Sequence, residues 1–256
     1  MSSASYLRYY GRLARQSGYA VAKGLALPFV RREAVRSGAH ELAFPVSTYA
    51  PWRADEDFLA VYEQVRRSTL VDIWRCHELW QLLAELEDVP GDVIEVGVWR
   101  GGTGALLAER CRRLGLDAHV YLCDTWTGVV KTTAVDTYYR DGKHDDTSRG
   151  IVERLVAELG LTDVSLLEGI FPDDTAHLVP DDAVFRLCHI DVDVYRSAAD
   201  VLEWVWPRLA PRGIVVFDDY GCAACPGVTR FVDEQRARPD RLVVHNVNGH
   251  GLVIKR

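Results

Sequence analysis

Long apolar runs are missing from this chain. No stretch of its 256 residues approaches the roughly eighteen needed to cross a bilayer. The segment GYAVAKGLALPFV is broken by Lys23 and carries no cleavage signature, so a cytoplasmic protein without membrane attachment is expected. An excess of positive charge is missing too. The formal net charge of -7 argues against a general nucleic-acid binder, which needs clustered Lys and Arg for phosphate contacts, and favours small-molecule chemistry. Lysine is scarce beside arginine, a bias that carries no chemical information. Internal repeats and low-complexity tracts are absent, which excludes solenoid and disordered classes. Cysteines are few and scattered, six in all, as expected of reduced thiols rather than a disulfide scaffold. Only Cys222 and Cys225, in CAAC, are close in sequence, and one such pair without a second is a weak zinc signature.

With 48% hydrophobic residues, the chain can bury one sizeable α/β core with an extension before it. Residues 1–40 hold seven Lys or Arg against one Glu, with Tyr6, Leu7, Tyr10 and Leu13 spaced for one helical face. This predicts a basic amphipathic helix packing on the domain or on a second subunit of a homo-oligomer. FPVSTYAPW is a proline-marked connector, and residues 55–88 predict two helices. In the second, Ile73, Trp74, His77, Trp80, Leu83 and Leu86 share a face, and Pro90-Gly91 ends it. The expected division is a helical extension over 1–68 and a catalytic domain over 69–256.

From residue 92 apolar strands alternate with helical stretches. Strands are predicted at 93–97, 120–124, 164–167, 184–191, 213–218, 242–246 and 252–255, and helices near 103–114, 148–160, 197–209 and 227–237. Such alternation predicts a parallel sheet covered on both faces. Only VNGH separates the last two strands, and Asn248-Gly249 reads as a hairpin turn. Six parallel strands with one antiparallel return is the Rossmann-like architecture of class I methyltransferases.

A further absence bears on the ligand. DVIEVGVWRGGTG has the strand, glycine turn and helix start of a nucleotide-type fold, but it lacks the G-x-G-x-x-G register that aims a helix at a pyrophosphate. Glu95, two residues before the first glycine, suits a ligand with a positive end and repels a diphosphate. S-adenosyl-L-methionine is the cofactor this suggests. Asp124, at the end of the second strand, is placed to accept from both ribose hydroxyls, with Trp126 beside it for adenine. HIDVDVY and IVVFDDY put Asp191, Asp218 and Asp219 at the carboxyl ends of the fourth and fifth strands, where the ligands of open α/β sheets bind. Three unpaired carboxylates there repel one another, and a hard divalent cation, Mg²⁺ or else Mn²⁺ or Ca²⁺, resolves the repulsion.

GDVIEVGVWRGG, CDTWTG, IDVDVY and GIVVFDDYG together resemble the macrocin O-methyltransferase family, Mg²⁺-dependent enzymes that methylate sugar or phenolic hydroxyls of antibiotics. The resemblance covers residues 69–256. It implies a cofactor site drawn from Glu95, Gly97, Val98, Gly101, Gly102, Asp124, Thr125, Trp126 and Asp173. It further implies that Asp191, Asp218 and Asp219 hold the metal and that Asp191 doubles as general base. The acceptor expected is a sugar hydroxyl, with a phenolic or catechol-like acceptor as the alternative. The segment over 129–148 lacks periodicity and is read as a lid whose Tyr138, Tyr139 and His144 line the acceptor site. An NAD-dependent nucleotide-sugar oxidoreductase would share the fold but needs the missing phosphate turn. A metal-dependent phosphoesterase would leave Glu95 and Asp124 without roles.

Overall fold

The computed structural model describes residues 49–256, so the basic helix expected within 1–40 lies outside the described residues. Two helices come first, α1 (Glu56–Val65) and α2 (Ile73–Glu85). Each begins where a carboxylate caps it: Asp55 accepts from the Phe58 amide and Asp72 from the Arg75 amide. The buried face of α2 is formed by Cys76, His77, Leu79, Trp80 and Leu83. Trp74, expected on that face, is 47% exposed. The 3.6-residue repeat centres the stripe on 76, 79, 80 and 83, and this rotates position 74 out of the core.

Strands β1 (Asp92–Val96), β2 (Val120–Asp124), β3 (Val164–Glu168), β4 (Phe185–Ile190), β5 (Leu209–Phe217), β6 (Arg241–His245) and β7 (Gly251–Lys255) form one sheet in the order β3-β2-β1-β4-β5-β7-β6. All neighbours pair in parallel except β7, which runs antiparallel to both β5 and β6. The expected six-to-one arrangement is therefore present. Helices α1, α2, α3 (Gly102–Leu114) and α4 (Arg149–Glu158) supply the core on one face, where Phe58, Trp80 and Leu106 meet Val93, Leu187 and Val216. Helices α5 (Tyr195–Val205) and α6 (Pro226–Gln235) supply it on the other, where Val201 and Phe231 meet Ile94, Cys188 and Phe217. Residues 56–65 thus belong to the same core as the sheet.

The fifth strand begins four positions before its expected start at 213, because Leu209 already pairs with Phe185. The exposed Pro211 and Arg212, the latter at φ +69°, form an irregularity inside the strand that reads in sequence as a turn. Among the described residues no helix is long and apolar enough to cross a membrane.

Candidate active site

A cavity of about 430 Å³ opens at the carboxyl ends of β1, β2, β4 and β5. Of the residues expected to bind cofactor, Gly97, Val98, Asp124 and Thr125 line it, together with Asp191, Asp218 and Asp219. From the 129–148 segment Tyr139 and His144 reach the cavity. Glu95, Gly101, Gly102, Trp126, Asp173 and Tyr138 do not line it.

The glycine turn works mainly by letting the protein approach itself. Gly97 has φ +92°, and a Cβ there would stand 1.8 Å from the Asp191 carbonyl oxygen, so this glycine lets β1 and β4 run side by side to their ends. The ladder continues beyond the strands, with the Asp191 amide donating to Val96 O at 2.9 Å and the Asp218 amide to Ile190 O at 3.0 Å. Those bonds bring the acids of β4 and β5 together: Asp191, Asp218 and Asp219 offer carboxylate oxygens within 4.8 Å of one another. Asp124 fastens the other side of the turn. Its Oδ2 accepts from the amides of Val98 (2.7 Å) and Trp99 (2.8 Å), and its Oδ1 from the Trp126 amide (2.7 Å).

Three of the absentees have other partners. Trp126 is buried and donates its indole N–H to Trp99 O at 3.2 Å. Asp173 is half-exposed and pairs with Lys131, which also holds Asp200. Glu95 lies under the cavity floor, on the face covered by α3, where a Cβ on Gly104 would come within 2.5 Å of its Oε2. Its Oε1 meets Nδ1 of His189 at 2.9 Å, and its Oε2 has no hydrogen-bond partner among the described residues.

This pair opens a polar row that the sequence reading did not foresee. Glu95 and His189 are register partners on neighbouring strands, and their side chains share a face. His189 Nε2 stands 3.5 Å from Asp218 Oδ1, which also accepts from His250 Nε2 at 3.0 Å. His250 Nδ1 meets Glu78 of α2 at 2.6 Å, and Arg75 of the same helix pairs with the other oxygen of Asp218. Burial alone pushes Asp218 up, but the close His189, the bond from His250 and the Arg75 charge hold it well below the usual carboxylate range. His189 goes the other way: burial lowers it, and the neighbouring Asp218 and Glu95 carboxylates lift it to about 10. Asp191 and Asp219 have no such bonded cation, although the His189 charge offsets part of the effect at Asp191. Burial and then their acidic neighbours raise both far above the usual range. The set therefore combines one firmly ionised carboxylate with two that resist ionising unless further positive charge arrives. Asp193, also missed, lines the cavity beside them at φ +64°; its pKa is raised, by burial first, and it is hydrogen-bonded to Tyr139.

The 129–148 segment is anchored over the cavity. Asp136 is buried, accepting from the Tyr195 amide at the start of α5 and from Thr133. Lys143 sits over the rings of Tyr138 (3.6 Å) and Tyr139 (4.6 Å), while Trp99 and Arg100 both bind Asp146.

A sheet of this order, with its single reversed strand, and a cavity at the carboxyl edge define a class I methyltransferase fold. Within that class the chain belongs to the macrocin-O-methyltransferase (TylF) family, which it matches over residues 66–248. It is 35% identical over 151 residues to the 8-demethyl-8-(2,3-dimethoxy-alpha-L-rhamnosyl)-tetracenomycin-C 4'-O-methyltransferase of Streptomyces olivaceus, covering 54% of this chain and 56% of that one. It is 34% identical over 175 residues to the mycinamicin III 3''-O-methyltransferase of Micromonospora griseorubida, covering 61% and 66%. The chain thus spans less than two thirds of the length of either relative. Among solved structures, the O-methyltransferase NovP superimposes with a TM-score of 0.65 at 26% identity over 88% of both chains.

Proposed function

We propose that this protein transfers a methyl group from S-adenosyl-L-methionine to a sugar hydroxyl, with Mg²⁺ held by Asp191, Asp218 and Asp219. The observation that carries the reading is the convergence of the glycine turn and three carboxylates on one cavity. The sugar acceptor draws support from the two relatives, one named for a rhamnosyl compound and both for a numbered hydroxyl.

The residues suit both groups. For the cation, Asp219 Oδ2 is buried without a hydrogen-bond partner among the described residues, and burial and then its acidic neighbours raise the Asp191 carboxyl, a penalty that positive charge would offset. Asp218 has one oxygen on His250 and the other on Arg75, so it would enter as an already ionised ligand. For the cofactor, Gly97, Val98, Asp124 and Thr125 form the wall beside the turn. When bound, the cation acts as a Lewis acid that eases ionisation of the acceptor hydroxyl, and the sulfonium carries the methyl group.

The chain's own work is positioning, exclusion of water and proton removal. Tyr139 and the anchored 129–148 segment cover the cavity and shield the reacting groups. Asp191 is the base in the reading the family resemblance favours. Asp193 favours a second: it lines the cavity outside the three-carboxylate cluster, and although Tyr139 and the Cys225 thiol (3.7 Å) donate to it, a carboxylate that holds no cation keeps lone pairs for a proton. Localisation in the cytoplasm and assembly into a homo-oligomer are part of the same proposal.

The test is initial rate against Mg²⁺ concentration on a panel of glycosides, nucleotide sugars and phenols, followed by a one-methyl mass increment. Chelation should abolish turnover while S-adenosylhomocysteine binding persists, and Mg²⁺ should restore it. Asp193→Asn should lower kcat on the order of a hundredfold at an unchanged metal requirement if it is the base; Asp191→Asn should raise that requirement. Full turnover in chelator would remove the metal, and methylation confined to phenols would move the acceptor class.

A further inference from the structure

The CAAC pair lies where the cavity rim meets α6; its Cys225 thiol donates to Asp193 Oδ1 at 3.7 Å, but neither sulfur has a role of its own in the methyl-transfer reading. Cys225 is fully buried at the N-cap of α6 and Cys222 is exposed, lining the cavity. Two short turns set their spacing: the Cys222 amide donates to Asp219 O at 3.1 Å and the Cys225 amide to Cys222 O at 3.0 Å. Both sulfurs and one Asp219 carboxylate oxygen lie within 4.8 Å of one another. In tetrahedral zinc sites the ligand atoms stand about 3.5 Å apart, so small side-chain rotations close this set around an ion. Asp219 belongs to this cluster and to the three-carboxylate one, and its buried Oδ2, without a hydrogen-bond partner among the described residues, is open to a cation in either.

We propose that Asp219, Cys222 and Cys225 form a site for a thiophilic divalent cation, Zn²⁺, adjoining the carboxylate cluster and sharing Asp219 with it. Two thiolates and one carboxylate match the ligand softness and number of a zinc site with one open position, whereas the three aspartates match a hard cation. Binding releases the two thiol protons to solvent as two Zn–S bonds form, with no change in oxidation state. Because Asp219 cannot serve both ions fully, zinc at the sulfurs weakens the hold of the aspartates on Mg²⁺. The two positions therefore work in opposition. Occupation of the thiolate site stands independently of methyl transfer; only its effect on turnover rests on the proposed function.

The experiment is a titration of the full chain, kept reduced with a phosphine and free of cofactor, with Co²⁺ in the presence of excess Mg²⁺. A near-ultraviolet thiolate-to-cobalt charge-transfer band should grow to one equivalent and be displaced by Zn²⁺. Cys222→Ala removes an exposed side chain and leaves the core intact. It should weaken binding on the order of a hundredfold and shift the band, and Asp219→Asn should weaken it about tenfold. Cobalt bound without a thiolate band would assign it to the aspartates alone and overturn the site. So would a band unchanged in both Cys222→Ala and Cys225→Ser. Since no step involves turnover, failure of the methyltransferase reading leaves this result interpretable.

Discussion

Glu95 shows how a residue legible in sequence can have an unforeseen partner. An acid inside an apolar strand stands out in DVIEV, but sequence alone offers only the glycine turn to explain it. Its partner is His189, and that pairing depends on strand register, which is settled by β1 lying next to β4. A signal was present in the same parity of Glu95 on β1 and of His189 and Asp191 on β4, yet it becomes readable only once strand order is known. Arg75 and Glu78 carried no signal, because they reach Asp218 and His250 from a helix far away in sequence. Burial pushes the Glu95 carboxyl up and the His189 bond opposes this, and we propose that Glu95 acts by holding His189 beneath the cavity rather than by touching the cofactor. Glu95→Gln should therefore lose stability on the order of 3 kcal/mol in urea unfolding, because it removes one of the two carboxylates that hold a buried imidazolium and leaves only Asp218, at 3.5 Å, beside it. Affinity for S-adenosylhomocysteine by calorimetry should stay within about twofold. The reverse pattern, intact stability with tenfold weaker binding, would return Glu95 to the cofactor.

Secondary structure was largely readable because turn chemistry and periodicity agree along the chain. Gly115 in the left-handed region closes α3, Pro226 opens α6, and Asn248-Gly249 turns β6 into β7. The loop over 129–148 was read correctly as aperiodic, but its fixings are tertiary and left no local pattern. Its main anchor is Asp136, which does for α5 what the helix's own N-cap residue, Val194, cannot, since Val194 has no side chain able to accept. The contact is tight: a Cβ on Gly227 of α6 would stand 2.1 Å from Asp136 Oδ1. Asp136→Ala should cost about 1 to 2 kcal/mol through the lost cap. It should also release the loop, raising its hydrogen exchange and cleavage by a protease well before global unfolding. Unchanged protection over 129–148 would show that the loop is held by other contacts.

At the level of the whole molecule, the alternation of strands and helices made the sheet legible, and the reversed β7 separated this architecture from a wholly parallel dehydrogenase sheet. That distinction has a thermal consequence. A ligand at about a hundred times its Kd stabilises the native state by about 2.7 kcal/mol. For a domain of this size that is a rise of roughly 5 to 10 °C in Tm. S-adenosylhomocysteine should produce it, while NAD and inorganic phosphate should not; a comparable rise with NAD alone would redirect the cavity to hydride chemistry. The polar row beneath the cavity has a consequence for how the chain folds. Its bond between Glu78 and His250 joins residues 172 positions apart, and Arg75 reaches Asp218 across 143. Closing loops of that length is entropically slow compared with forming the neighbouring strand pairs. We expect the α2 contacts of that floor to form after the strand pairs, which would show as early loss of hydrogen-exchange protection around residues 75–78 and 246–250 under mild denaturant. A partly folded chain would already have the architecture of the family while its acids still repelled one another in water, and the site would come into being only with the final closure of the fold.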